Sequence, residues 1–328
     1  METRGPDEVT VAIVSDIHYA GAAERARGGD YEQRTIANLL LRAAAAAYRH
    51  IIWMRHPLEQ GRQLDRFLAE VGPADYLVGI GDYSCDSGFV GVSDPAAGQS
   101  VQECLGKLRA QFGDQVRFTL GDHELGKRSL FGSGQMRMAS WRDATETLGL
   151  PRFWQLEIGR YTLMGITSSL IALPVHQPDT IPVEWPEWLR LREAHLTEIR
   201  AAFDLLPPAQ RLILFCHDPT ALPFLWREDP IRRRLPQVEQ TVIGHLHTPL
   251  ILWKSRVLSG IPPIRFLGYA VSHMTAALHE AHFWRPFHVR LCPALSGVEL
   301  LNDGGYYLMQ LDPAAGHPAR FTFHPLPR

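Results

Sequence analysis

The sequence has few cysteines and no long apolar run. Its 328 residues include only Cys85, Cys104, Cys216 and Cys292, and no two of these lie close together. This excludes a disulfide framework or a Cys-x-x-Cys metal site and favours a reducing, cytoplasmic location. No window approaches the roughly 18 consecutive apolar residues of a membrane-spanning helix. The N-terminus carries acids where a secretory signal has an apolar core, so we expect neither kind of segment.

The chain also lacks a large net charge of either sign. The formal net charge is -2 at pH 7, with 45% hydrophobic and 21% charged residues. This is ordinary globular composition, and without a basic field it argues against nucleic acid as a partner. There is no repeat, low-complexity tract or clear linker. We therefore expect one domain over residues 1–328, with an insertion near residues 51–70.

Short β-branched runs alternate with helical patterns along the first two thirds of the chain. The predicted strands cover residues 9–15, 76–80, 116–120, 211–216 and 240–243, with two more joined at Gly159-Arg160. The predicted helices cover residues 31–50, 101–112 and 187–206. The last third alternates apolar runs with turns, which predicts antiparallel hairpins. This order is typical of an α/β fold with two packed sheets, outer helices and a site at the strand C-terminal ends.

Five polar clusters follow the predicted strands. They are Asp16-x-His18, Gly81-Asp82, Gly121-Asp122-His123-Glu124, His217 and Gly244-His245-x-His247. Each alone is more often structural, because Asp or His at a strand end can cap a helix or hold a turn.

The joint pattern indicates a metal centre. In an extended chain the two side chains of Asp-x-His or His-x-His point to the same face. Imidazoles and carboxylates in one cleft need a cation between them, and mixed Asp/His ligands suit Mn, Fe or Zn better than Ca. Seven candidate ligands exceed the needs of one ion, so two ions that share a carboxylate fit better.

The order of these clusters resembles the motif series of the calcineurin-like metallophosphoesterase superfamily. The resemblance extends from Asp16 to His247. It implies an α/β fold, a four-layer α/β/β/α sandwich of two mixed sheets with a dinuclear metal site at the strand C-terminal ends. It also implies that Asp16, His18 and His247 hold one ion, that Asp82 bridges, and that Asp122, His217 and His245 hold the other. His123 would be the catalytic residue beside the substrate phosphate and the leaving oxygen. Glu124 would either orient His123 or cap the following turn.

One residue departs from the superfamily pattern, which has Asn where this chain has Asp122. The two side chains are nearly isosteric and both offer an oxygen to a metal. With three carboxylates, two divalent ions leave one net positive charge, whereas the amide would leave two. A monoester carries nearly two negative charges near neutral pH. The smaller positive charge of the metal centre therefore favours a substrate with fewer negative charges.

We therefore predict a metal-dependent hydrolase of a phosphodiester or pyrophosphate diester. In this prediction a metal-bridging hydroxide attacks the phosphorus and His123 assists the leaving group. A phosphomonoesterase and a catalytically inactive phosphate-binding module remain as alternatives.

Residues 250–292 mix basic and aromatic side chains. The segment contains Lys254, Arg256, Arg265, Arg285 and Arg290 but a single acid, Glu280. Core strands with charged turns would explain this composition. The alternative is a hydrophobic, basic rim, which would accept a lipid-bearing phosphoester or the membrane face. We thus expect a small-molecule phosphoester as partner, with a lipid moiety and peripheral membrane contact as open alternatives.

Overall fold

Ten strands form the frame of the computed structural model, which describes residues 8–28, 36, 38–85, 91–126, 135–264 and 269–326. In chain order they are β1 (Val9–Val14), β2 (Tyr76–Gly79), β3 (Val116–Phe118), β4 (Phe153–Ile158), β5 (Tyr161–Ile166), β6 (Arg211–Cys216), β7 (Val238–Ile243), β8 (Val289–Leu291), β9 (Gly305–Leu311) and β10 (Arg320–Pro325). They make two five-stranded sheets, in the orders β10-β9-β1-β2-β3 and β4-β5-β6-β7-β8.

Both sheets are mixed. In the first, β1, β2 and β3 run parallel, while β9 and β10 are antiparallel additions beside β1. In the second, β5 to β8 run parallel and β4 forms an antiparallel hairpin with β5. The parallel strands place their C-terminal ends at one edge of each sheet, as predicted for the site.

Helices connect the strands. Twelve α-helices lie in the described ranges: α1 (Ala22–Arg27), α2 (Leu39–Tyr48), α3 (Gly61–Glu70), α4 (Pro95–Phe112), α5 (Met138–Arg142), α6 (Ser168–Ile171), α7 (Leu173–His176), α8 (Trp185–Leu205), α9 (Leu222–Trp226), α10 (Asp229–Arg234), α11 (Pro249–Val257) and α12 (Tyr269–Glu280). A π-helical turn, Arg49–Trp53, continues α2. Among these residues no helix combines the length and apolarity needed to cross a membrane.

The core is layered because strand side chains alternate between the two faces of a sheet. On β1, Val11 and Ile13 pack against the second sheet. Ala12 and Val14, which point the other way, pack beneath the helices together with Phe67 of α3. The second sheet buries its outer face in the same manner under α8, α9 and α10. The predicted four-layer α/β/β/α sandwich is therefore confirmed.

Some boundaries differ from the predictions. Helix α4 begins at Pro95, six residues earlier than expected, because the Asp94 carboxylate accepts the N–H groups of Ala96 and Ala97. Part of the predicted helix 31–50 lies outside the described residues, and its described part begins at Leu39 after the cap Asn38. The C-terminal hairpin is present as β9 and β10. Residues 249–287 are mainly helical, so the hairpins predicted there are wrong.

Candidate metal centre

The five polar clusters follow the C-terminal ends of β1, β2, β3, β6 and β7. Backbone hydrogen bonds join the first two loops, with the Asp16 N–H donating to Gly81 O at 3.1 Å and the His18 N–H to Asp82 O at 3.0 Å. The His245 N–H donates to the two Asp16 carboxylate oxygens at 3.1 and 3.2 Å, which joins the second sheet to the first. The seven predicted ligands therefore converge where the two sheets meet.

Five of these seven residues have left-handed backbones. The φ angles are 50° at Asp16, 51° at His18, 54° at Asp82, 62° at His245 and 59° at His247. The extended geometry predicted for Asp-x-His and His-x-His is thus wrong, although the side chains still converge. Each left-handed residue costs about 1–2 kcal/mol, somewhat less for Asp and His than for bulkier residues. Such local strain is commonly concentrated at functional sites.

The glycines of the motifs permit close approach of the loops. A Cβ on Gly121 would lie 2.2 Å from Asp82 Oδ1, and a Cβ on Gly244 would lie 2.0 Å from Ser15 Oγ. A real Cβ cannot lie so close to another atom, so the residues before Asp122 and His245 have to be glycine.

Asp16, His18 and His247 form one group of buried ligand atoms. His18 Nε2 lies 3.3 Å from His247 Nε2, and His247 Nε2 lies 3.1 Å from Asp16 Oδ1. The other ring nitrogen of His18, Nδ1, lies 3.1 Å from the Ser84 carbonyl oxygen. A carbonyl can only accept, so Nδ1 carries the proton and Nε2 presents its lone pair to the group.

Asp82, Asp122, His217 and His245 form a second group, and Asp82 also belongs to a third with His18 and His123. His217 Nε2 lies 3.0 Å from Asp82 Oδ2 and 3.8 Å from Asp122 Oδ1. His245 Nδ1 lies 3.2 Å from Asp122 Oδ2. Asp82 thus belongs to the second group and, through the third, also lies within reach of His18 of the first.

The donor chemistry of this cluster fits cations. His217 Nδ1 donates to the Ile80 carbonyl oxygen at 2.7 Å, which leaves the Nε2 lone pair facing the Asp82 carboxylate. Two electron-rich atoms at that distance repel each other unless a proton or a metal ion lies between them. Two nitrogens of the first group face each other in the same way, so the residues fit two divalent ions.

The electrostatics agree with this fit. Burial lowers the pKa of His217, but Asp82 and Asp16 outweigh burial and raise that pKa well above its ordinary value. Burial raises the pKa of Asp16, but the imidazoles of His247 and His217 outweigh it and leave the pKa lowered. Both pKa shifts mean that a positive charge is stabilised at this cluster.

A comparison with protein-family models decides the family. The model described as calcineurin-like phosphoesterase matches residues 9–249, a span that includes all seven predicted ligands. The chain belongs to the calcineurin-like phosphoesterase family. It is accordingly a dinuclear metallophosphoesterase, which hydrolyses phosphoester bonds with the help of bound metal.

Two solved structures resemble this calcineurin-like phosphoesterase weakly. A conserved uncharacterized protein and predicted phosphoesterase from Streptococcus pneumoniae is 9% identical with a TM-score of 0.31, and the match covers 98% of this chain and 100% of that chain. A dimetal phosphatase from Danio rerio is 12% identical with a TM-score of 0.35, and the match covers 73% and 82%. A comparison with curated protein sequences gives no match.

His123 lies at the edge of the metal centre of this phosphoesterase. Its backbone N–H donates to Asp82 Oδ1 at 3.1 Å, and its Nε2 lies 3.8 Å from Asp82 Oδ2. The side chain is nearly buried, and its ring centroid lies 5.1 Å from that of His18. Its predicted role beside the substrate phosphate and the leaving oxygen stays a prediction.

Glu124 holds the loop after β2. One of its oxygens accepts the backbone N–H groups of Asp82 and Gly121, both at 3.0 Å. The other accepts those of Tyr83 at 2.8 Å and Ser84 at 3.1 Å. Burial, followed by the charge of Asp82, raises the pKa of Glu124, while the N–H donors oppose that rise. The carboxylate therefore fixes the Asp82 loop and also accepts the Gly121 N–H of its own turn, while an orienting role toward His123 stays a prediction.

Three residues near the site were not predicted. Asp218, buried directly after His217, places its Oδ2 3.9 Å from both His245 Nε2 and His176 Nε2. The only signal for it is the His-Asp-Pro sequence. The Trp53 ring lies against His247, with ring centroids 4.5 Å apart, and nothing in its local sequence indicates this contact.

The basic-aromatic section 250–292 does not form one rim over the metal centre. Trp284 and Phe287 are buried against the second sheet. Arg285 lies before β8, and β8 runs parallel to β7, so Arg285 lies toward the sheet edge opposite the ligands. The Arg290 guanidinium lies 4.5 Å from the Phe321 ring centroid. Residues 265–268 of this section lie outside the described residues.

Proposed function

We propose that this protein cleaves a phosphodiester or pyrophosphate diester bond of a small molecule with two Mn, Fe or Zn ions. Asp16, His18 and His247 would hold one ion, Asp82 would bridge, and Asp122, His217 and His245 would hold the other. The two separate groups of ligand atoms, with Asp82 of the second within reach of His18 of the first, support this assignment. The four cysteines are free and buried, which supports the further proposal of a cytoplasmic location.

When bound, the ions would neutralise the phosphate oxygens and acidify the attacking water. The remaining chemistry would belong to side chains. The nearly buried His123 is anchored through its N–H to Asp82, so its imidazole has a fixed position from which to donate a hydrogen bond or a proton to the leaving oxygen. The carbonyl of Ser84 and that of Ile80 would fix the tautomers of His18 and His217, so that each presents Nε2.

The observation that carries the diester proposal is the carboxylate of Asp122. It is buried, with one oxygen 3.2 Å from His245 Nδ1 and the other 3.8 Å from His217 Nε2. Its charge acts on the neighbouring ligand: burial and Asp122 raise the pKa of Asp82, but His217 and His123 outweigh them and leave that pKa lowered. A third carboxylate at this point binds metal more strongly than an amide does, and it weakens the attraction for a dianion more than for a monoanion.

The experiment is the Asp122→Asn variant, assayed with p-nitrophenyl phosphate and bis-p-nitrophenyl phosphate. We expect weaker binding of one ion, a lower pH optimum and a higher ratio of monoester to diester activity. Asp218→Asn is the matched control, since it removes a buried charge 3.9 Å from His245 without changing a proposed ligand. If Asp122→Asn keeps the wild-type ratio and metal affinity, the charge argument for a diester is wrong.

A further inference from the structure

Exposed apolar side chains are concentrated in a few segments of the chain. Seventeen large hydrophobic side chains in the described ranges are more than a third exposed. Thirteen of them belong to what we call the apolar rim: Leu39, Leu40, Leu41, Tyr48, Ile51, Ile52, Leu250, Trp253, Val257, Leu258, Met274, Leu300 and Leu301. Leu40 is 83% exposed and Trp253 is 60% exposed, so among the described residues nothing covers these two side chains. A concentration of this kind marks an interaction surface.

The two main segments of the rim contain no acidic residue. Residues 33–58, which contain α2 and the π-helical turn, include no Asp or Glu, and neither do residues 245–279, which contain α11. The chain has 35 acids in 328 residues, so 61 residues without one are a marked depletion. Basic residues remain in both segments, among them Arg42 and the exposed Lys254, whereas Arg55 pairs with Glu299 beside the 300–301 turn at 3.8 Å. The rim is therefore apolar with a positive bias.

Two segments of the rim adjoin the metal centre at His247. The Trp53 ring, at the end of the π-helical turn, packs on His247. Thr248, the next residue after His247, caps α11 by accepting the Leu250 N–H at 3.3 Å. The Leu300 N–H donates to the Ile52 carbonyl at 3.1 Å, which attaches the 300–301 turn to the first segment. Whatever contacts the rim lies beside the metal centre.

We propose that the apolar rim docks on the surface of an anionic lipid bilayer. Apolar helices without acids enter the headgroup region favourably, and the basic residues are attracted to anionic headgroups. A second copy of the chain fits less well, because a two-fold contact would place two positively biased surfaces against each other. Docking would bring the metal centre to the lipid headgroups, independently of which phosphoester bond is cleaved.

The test is co-sedimentation of the metal-loaded full chain with phosphatidylcholine vesicles, with and without phosphatidylglycerol. We expect binding that is stronger with phosphatidylglycerol. The double variants Leu40→Glu with Ile51→Glu, and Trp253→Glu with Val257→Glu, should each weaken partitioning by at least about tenfold. The matched control is Val183→Glu with Leu205→Glu, which changes side chains 84% and 81% exposed outside the rim and should bind as the wild type does.

Three outcomes would overturn the proposal. The wild type binds neither kind of vesicle, the rim variants bind as tightly as the wild type, or light scattering without lipid shows a dimer that the rim variants turn into monomers. Hydrolysis of bis-p-nitrophenyl phosphate without vesicles is measured in parallel and should not change in the rim variants. A wild type that hydrolyses the diester but does not dock would therefore refute docking alone, and a wild type that docks but does not hydrolyse it would refute the proposed function alone.

Discussion

Removing the Glu124 acceptor should unfold the loop that carries Asp82. The carboxylate is fully buried and accepts four backbone N–H groups, from Asp82, Tyr83, Ser84 and Gly121. Glu124→Ala leaves all four donors without this acceptor. Glu124→Gln keeps one oxygen but turns an NH₂ group toward two of the donors.

The magnitude follows from the number of bonds. A hydrogen bond to a charged group contributes about 1.5–3 kcal/mol, and a buried donor left unpaired costs about 1–3 kcal/mol. We therefore expect Glu124→Gln to lower the free energy of unfolding by about 2–4 kcal/mol and Glu124→Ala by at least about 4 kcal/mol. Whole domains have about 5–15 kcal/mol, so the Ala variant approaches global unfolding.

The assay is urea denaturation of chelator-treated protein, because loss of metal binding is then not part of the measured difference. Glu187→Gln is the control, since this carboxylate is partly exposed and pairs with Arg142 and Arg190 at the surface. It should stay within about 0.5 kcal/mol of the wild type. A Glu124→Gln variant as stable as this control, with only its pH profile of activity changed, would refute the reasoning and support the role toward His123.

Three more predictions concern the same centre. His123→Ala should reduce turnover about 10²–10⁴-fold with metal content intact by elemental analysis; unchanged turnover would remove His123 from the mechanism. Gly121→Ala should lower the free energy of unfolding in urea by roughly 1–3 kcal/mol and release metal, because its Cβ would meet Asp82. The control Gly106→Ala, on open helix surface, should raise that free energy by up to about 1 kcal/mol. Equal effects of the two variants would contradict the steric argument. The raised pKa of His217 stabilises the metal-free fold below the ordinary His pKa of about 6.5, and this contribution is lost as pH rises through the raised value. Denaturation midpoints of chelated protein should show that fall, and His217→Ala should show a smaller one.

Local sequence signals were sufficient for the strands and for the order of the clusters. Buried strands such as Arg211–Cys216 are short β-branched and aliphatic runs, and the ligands follow each run directly. The glycine before Asp82, Asp122 and His245 marks each turn. Parallel pairing then brings residues far apart in the chain to one edge of the sheet.

Tertiary contacts decided what the sequence could not predict. The left-handed backbone of Asp16 is held by bonds from residues around 81 and 245, so local preference for an extended chain is overridden. The role of Glu124 depends on N–H groups 40 to 42 residues away. In α11 apolar side chains lie on the exposed as well as the buried face, with Trp253 exposed and Leu252 buried, so their spacing in the sequence does not indicate a helix.

The position of β9 makes its pairing with β1 a late event in folding. It pairs with β1 on the side opposite β2, from Val9↔Leu311 to Ile13↔Tyr307, and its Met309 and Leu311 fill the layer between the sheets. A ribosome that has translated every metal-ligand codon still has to extend the chain by some 60 residues before β1 gains its second neighbour. Until then the nascent protein exposes an unpaired strand edge next to Asp16 and His18, an edge open to pairing with other chains. Pairing of β9 with β1 is thus a late step of folding, and we expect polypeptides truncated soon after residue 249 to aggregate instead of binding metal.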